Sequence, residues 1–147
     1  MYLNPVVASP VYCITYGINL GFNVGWIFSW DRELLVVSSY ILCSVAATNI
    51  ITLILLIRNI EDNNHQLMKE QPKTYWAYIV FAFNGHGIYC TWTVIASLLN
   101  FTNCLHYRDG LEMQTSVLVS LSMLLIIMVG WAVLEMTFLD NFARFFI

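Results

Sequence analysis

From Tyr75 to Cys104 the chain runs without a single charged side chain. A helix needs about 20 mostly apolar residues to cross the hydrocarbon core of a bilayer, and this stretch exceeds that length. It is not uniformly apolar. Stepping about 100° per residue places His86, Tyr89, Cys90, Thr93, Ser97, Asn100 and Cys104 on one face. Lipid does not reward such a face, so it is expected to point at protein, water or a ligand.

The rest of the chain agrees with a membrane solvent. Only 10% of the 147 residues are charged and 59% are hydrophobic, whereas soluble domains carry about 25% charged residues. A net charge of −3 leaves no basic footprint for nucleic acid. Cys13, Cys43, Cys90 and Cys104 all fall within or beside apolar spans, so a disulfide framework is not expected. The first ten residues hold no Lys or Arg, so the first span is expected to serve as its own membrane signal.

The spacing predicts an all-α integral membrane protein, a single domain over residues 1–147. Four transmembrane helices are expected in a bundle, at about 11–30, 34–57, 75–104 and 116–139. Pro5 and Pro10 suit the first helix start. Along that helix Gly17, Gly21 and Gly25 recur every four residues, a flat ridge on which another helix can pack closely. Tyr12, Tyr16, Asn19, Asn23, Trp26 and Trp30 cluster on roughly the opposite side. Asn23 and Trp26 read equally as interhelical glue or as ligand contacts, while Trp30 reads as an interfacial aromatic.

In the second span Ser44, Thr48 and Thr52 are expected to bond back to their own helix. Asn49 is the residue there expected to reach a neighbour. Residues 58–74 read as a polar loop, with His65 solvated. The fourth span is Leu, Ile, Val and Met apart from Glu135, which reads as an interfacial carboxylate near Asp140. Four spans place both termini on one side. That side carries Arg58, Lys69, Lys73 and Arg144 against Arg32 and Arg108 on the other, which favours cytoplasmic termini. No particular membrane is named; mitochondrial and plasma membranes both fit.

Two segments carry a resemblance. The third span reads Tyr89-x-x-Trp92-x-x-x-Ala96-x-x-x-Asn100-Phe101, and the first reads Asn19-Leu-Gly-Phe-Asn23-Val-Gly-Trp26-Ile-Phe28. The former resembles the fifth helix, and the latter the third helix, of the translocator or tryptophan-rich sensory protein family. The Asn84–Asn100 segment is similar to an animal branch of multi-pass proteins. The likeness covers roughly residues 11–104. The family's first two helices are missing, and the last span has no counterpart in it. The resemblance implies a bundle that binds tetrapyrroles, sterols and related flat molecules, with Asn23, Trp26, Tyr89, Trp92 and Asn100 as the carried-over positions. Trp92 is turned from Tyr89 on the helical wheel, so not all five can face one cavity centre.

His86 is the only histidine well inside a span, with Gly85 and Gly87 beside it. Haem ligation is the sharp reading, yet no second buried histidine is present, so a hydrogen-bonded structural histidine outweighs it. His86 with Cys90 does not make a metal site. No nucleophile–base pair, phosphate loop or carboxylate dyad is recognisable, so no enzyme activity is expected. The ligand-binding set read from the sequence is Asn19, Asn23, Trp26, His86, Tyr89, Trp92 and Asn100. Porphyrin or haem is its candidate ligand. The expected partners are the lipid bilayer, a hydrophobic small molecule, and either a second copy or a larger membrane complex docked on the glycine ridge. In the alternative reading the chain is a structural subunit packed through that ridge.

Overall fold

The computed structural model describes residues 8–138; the side chain of Glu135, with Pro5, Asp140 and Arg144, lies outside the described residues. The described chain is helical throughout and holds four helices. These are α1 (Pro10–Asp31), α2 (Leu35–Glu70), α3 (Pro72–Tyr107) and α4 (Met113–Phe138). The chain divides into two compact units between Asn100 and Phe101.

Ser9 starts α1 as its N-cap, its hydroxyl accepting from the Tyr12 N–H at 3.3 Å, and Pro10 follows at the first helical position. A proline there gives up an N–H that no helix could use. The helix stops where Glu33 takes a left-handed φ of 56°, and the chain reverses within three residues into α2.

Three of the four helices, α2, α3 and α4, are long and apolar enough to cross a membrane, consistent with a membrane protein. The expectation of four such helices is corrected at α1, which is not one of them. Its 22 residues suffice in length. Asn19, Asn23 and its aromatic polar groups dilute its apolar content.

A second correction concerns residues 58–74. They were expected to form a loop, but α2 continues through them to Glu70. Nothing stops it: Leu35–Glu70 contains neither Gly nor Pro, and Arg, Glu, Gln, Leu, Met and Lys all favour helix. Its 36 residues rise about 54 Å, well beyond a hydrocarbon core of about 30 Å. His65 therefore sits exposed on a helix. Pro72 ends α2, because the residue before a proline is pushed out of the helical region; Gln71 has φ −141° and ψ 62°. The helix resumes at once as α3. Ile60 and Leu67 of α2 and Tyr75 and Ile79 of α3 are almost completely buried where these helices pack. Ile60→Val is expected to cost about 0.5–1.5 kcal/mol, the usual loss for one buried methyl. Met68→Ala, at an exposed position, should move the same thermal unfolding curve little.

α3 is α-helical over Pro72–Ala77 and again over Asn84–Tyr107, and it widens to a π-helix over Tyr78–Phe83. Asn84 closes the wide turn twice. Its backbone N–H and its side-chain amide (3.1 Å) both donate to the Ile79 carbonyl, five residues back. Such segments are rare and recur at functional sites.

In the first unit α1 and α2 pack antiparallel, and α2 and α3 likewise. The second unit contains the end of α3 and α4. There the hydroxyls of Thr102 and Ser120 lie 2.6 Å apart, and Ser116 is wholly buried. Leu, Ile, Val and Met cover α4 on every side, the make-up of a helix that lipid can surround.

Candidate functional site

The polar face expected on α3 exists. His86, Cys90, Thr93, Ser97, Asn100 and Cys104 are all buried and Tyr89 is half-buried. Within the first unit this face meets α2 along a row of interhelical hydrogen bonds. Asn49 Nδ2 donates to Thr93 Oγ1 at 3.1 Å, and Ser97 Oγ donates to the Leu42 carbonyl at 3.0 Å. Asn100 Nδ2 donates to Ser38 Oγ at 3.2 Å, and Ser39 Oγ to the Asn100 carbonyl at 3.4 Å. Each hydroxyl also uses its own helix. Thr93 Oγ1 donates to the Cys90 carbonyl, and Thr48 and Thr52 bond back to the carbonyls of Ser44 and Thr48. That is why such residues pass cheaply through an apolar solvent. Asn49 does reach a neighbour, as its sequence position indicated.

Asn19 joins all three helices. It is wholly buried, its Nδ2 donates to the Val45 carbonyl at 2.7 Å and to Thr48 Oγ1 at 2.8 Å, and its Oδ1 accepts from Tyr89 OH at 3.3 Å. At the other end of α1, Asn59 Nδ2 donates to Ser9 Oγ at 3.0 Å.

His86 is held from two sides. Its Nε2 lies 3.3 Å from the Asn49 carbonyl. A carbonyl can only accept, so Nε2 carries the proton and Nδ1 the lone pair. Three tyrosine rings surround the imidazole: Tyr16 at 5.4 Å, with Tyr12 and Tyr89 each at 6.4 Å between centroids. Tyr12 and Tyr16 also stack on one another, 6.1 Å apart with an interplanar angle of 6°. Their i, i+4 spacing put them on the amide side of α1, but no sequence signal paired them with His86.

Four buried polar atoms of the seam's helices have no hydrogen-bond partner: Trp26 Nε1, Asn49 Oδ1, Asn64 Oδ1 and Asn100 Oδ1. The remaining positions stand apart. Asn23 is half-buried, and the Trp26 ring packs on Trp30 at 6.2 Å. Trp92 is 63% exposed although its neighbour Thr93 is buried. With Phe83, Asn84, Gly87, Ile88 and Thr91 it lines an outward cleft of about 450 Å³ on α3. It therefore does not join Tyr89 and Asn100, as its place on the helical wheel foreshadowed. Gly17, Gly21 and Gly25 face open space, for a Cβ added at any of them meets no atom within 4 Å. All four cysteines are free, and among the described residues no cluster of three His, Cys, Asp or Glu side chains comes together. No family model matches the chain, and neither does any of the curated proteins or solved structures compared with it.

Proposed function

We propose that the chain is a membrane-embedded binding protein for a flat hydrophobic molecule of the tetrapyrrole or sterol kind, taken between α1 and α3. The reading rests on the unpartnered Trp26 indole N–H and Asn100 amide oxygen. One is a donor on α1 and the other an acceptor on α3, and α2 sets them at one height. Ser9 meets Asn59 and Asn19 meets Val45 and Thr48, so Trp26, two turns further along α1, comes level with Ser38–Leu42. Asn100 is bonded to Ser38. A buried donor and a buried acceptor each cost free energy until something pairs them. Aromatic walls with a few placed polar groups suit a flat ligand. Trp26 and Asn100 are also two of the positions that the likeness to the translocator family carries over. Asn19, Tyr89 and His86 serve as walls and struts, the Asn19 amide, the Tyr89 hydroxyl and His86 Nε2 being committed to neighbouring helices.

In this reading all four helices cross the bilayer. α1 does so because α2 and α3 cover its amides, and the chain binds without catalysing. The test is titration of the purified full chain with protoporphyrin, read as tryptophan fluorescence. Porphyrin should quench the wild type, and Trp26→Leu or Asn100→Leu should weaken binding by about tenfold, the equivalent of one lost hydrogen bond of about 1.4 kcal/mol. Wild-type fluorescence indifferent to porphyrin and to sterol would overturn the reading.

A second reading, association of copies or docking of a partner helix, is favoured by the open glycine ridge of α1. Gly21→Leu places a side chain into empty space within the chain, so the monomer should fold as before. A fall in particle mass on Gly21→Leu, with porphyrin having no effect, would select this reading.

A further inference from the structure

We infer that the outward cleft on α3 is a binding site for a membrane phospholipid, which lays one acyl chain along it. The site is separate from the one between α1 and α3 and needs only that the chain sits in a bilayer. Asn84, Gly87, Thr91 and Ile95 follow at helical spacing and form the floor of the cleft; Ile88 and Trp92, 72% and 63% exposed, stand beside it as a wall. Gly87 keeps the floor low, for a Cβ there would meet no atom within 4 Å. The Thr91 hydroxyl donates to the Gly87 carbonyl at 3.0 Å, so it asks nothing of an apolar occupant. A volume of about 450 Å³ is that of a small-molecule site.

The depth of the cleft decides what fills it. α2 and α3 run antiparallel, with Asn100 bonded to Ser38. Asn84, 16 residues before Asn100, therefore lies level with Ile54, 16 residues after Ser38. Arg58 is the first charged residue of α2, which puts the edge of the apolar core near Ile57. Asn84 thus lies three residues, or about 5 Å, inside that edge. Trp92 comes level with Ala46, 11 residues and about 17 Å inside it, close to the middle of a core of about 30 Å. The cleft runs through one leaflet, from the region of the lipid esters to the bilayer centre, as an acyl chain does. A partner helix would continue through both leaflets, whereas the cleft ends at Ile95.

Two side chains at the ends of the cleft fit the same occupant. Tryptophans of membrane proteins gather at the interface, yet Trp92 stands exposed near the bilayer centre. Its ring there closes the deep end of the cleft over the tip of the chain. At the shallow end Asn84 closes the π-helix, giving one amide hydrogen to the Ile79 carbonyl five residues nearer the interface. An amide has two such hydrogens. The second is left for an acceptor, and the ester carbonyls of a phospholipid are acceptors at that depth.

The test is native mass spectrometry of the full chain, released from detergent after incubation with palmitoyl-oleoyl phosphatidylcholine. The wild type should keep one phospholipid per chain under conditions in which Gly87→Leu, whose side chain fills the floor, keeps none. The helicity of Gly87→Leu should match the wild type, because the space it enters is open. Tyr40→Leu, on an exposed face of α2, should keep the lipid, and equimolar cholesterol should not displace it. A wild type without a one-lipid species overturns the proposal. So does a folded Gly87→Leu that keeps the lipid, its loss from Tyr40→Leu as well, or its displacement by cholesterol. Should Gly87→Leu fail to fold, Thr91→Phe, at an exposed position of the same floor, takes its place with the same expected loss.

Discussion

Exchanging Asn19 for Leu will loosen the bundle of α1, α2 and α3 by about 2–4 kcal/mol. Two of its three hydrogen bonds go to α2 and one comes from α3. Interhelical hydrogen bonds in membranes average about 0.6 kcal/mol and reach about 1.7. Leucine also strands the Tyr89 hydroxyl, and a buried donor without an acceptor costs about 1–3 kcal/mol. Removing that hydroxyl should therefore recover part of the loss. In a double-mutant cycle, Asn19→Leu with Tyr89→Phe should cost less than the two changes added together. Equilibrium unfolding of detergent-solubilised protein, followed by helicity, measures all three variants. A cost below about 0.5 kcal/mol for Asn19→Leu would mean that apolar packing alone holds α1 in place, since even the average single bond exceeds that figure.

Deleting Phe81 and Ala82 together will do greater damage and should leave little folded protein. A π-helix takes up about one residue more per turn than an α-helix. One residue fewer lets Tyr78–Phe83 wind as α-helix with the later face still in register, so deleting Ala82 alone should be mild; the second deletion turns everything after it by about 100°. His86, Thr93, Ser97 and Asn100 then leave α2 together, and the bonds to Asn49, Leu42 and Ser38 go with them. Losing four bonds and stranding their buried partners sums to more than about 5 kcal/mol, the lower end of what holds a typical domain folded. Asn84→Ala, which keeps the residue count and removes only the side-chain bond to Ile79, should be much milder. A double-deletion variant that melts with the wild type would show that the bonds between α2 and α3 do not hold the bundle together.

Much of this was legible from residue spacing. Burial of His86, Thr93, Ser97 and Asn100 follows from their recurrence every three or four positions in an otherwise apolar helix, because a polar group facing lipid forfeits its hydrogen bonds. The back-bonding of Thr48 and Thr52 is local and equally readable. The π-segment was not. Tyr75, Ile79, His86 and Cys90 keep the ordinary helical spacing straight across it, so periodicity gives no sign that the backbone has widened. The extension of α2 past Ile57 was missed for another reason. Charge and amide content suggested a loop, yet polar residues outside a bilayer form helix readily when no Gly or Pro interrupts them. Ile60 and Leu67, seven residues apart, were too few to register as a stripe.

The amino-acid sequence by itself determined that this chain is helical, that its helices suit an apolar solvent, and which side of α3 is polar. These properties depend on the local period and on transfer free energy, which each segment carries with it. Only the tertiary structure decided that Tyr12 and Tyr16 close on His86 and that Asn19 ties three helices. It also decided that Trp26 Nε1 and Asn100 Oδ1 are buried without partners while Trp92 faces outward. Such pairings depend on the heights at which separate helices meet, and a register between segments dozens of residues apart leaves no periodic trace in either of them.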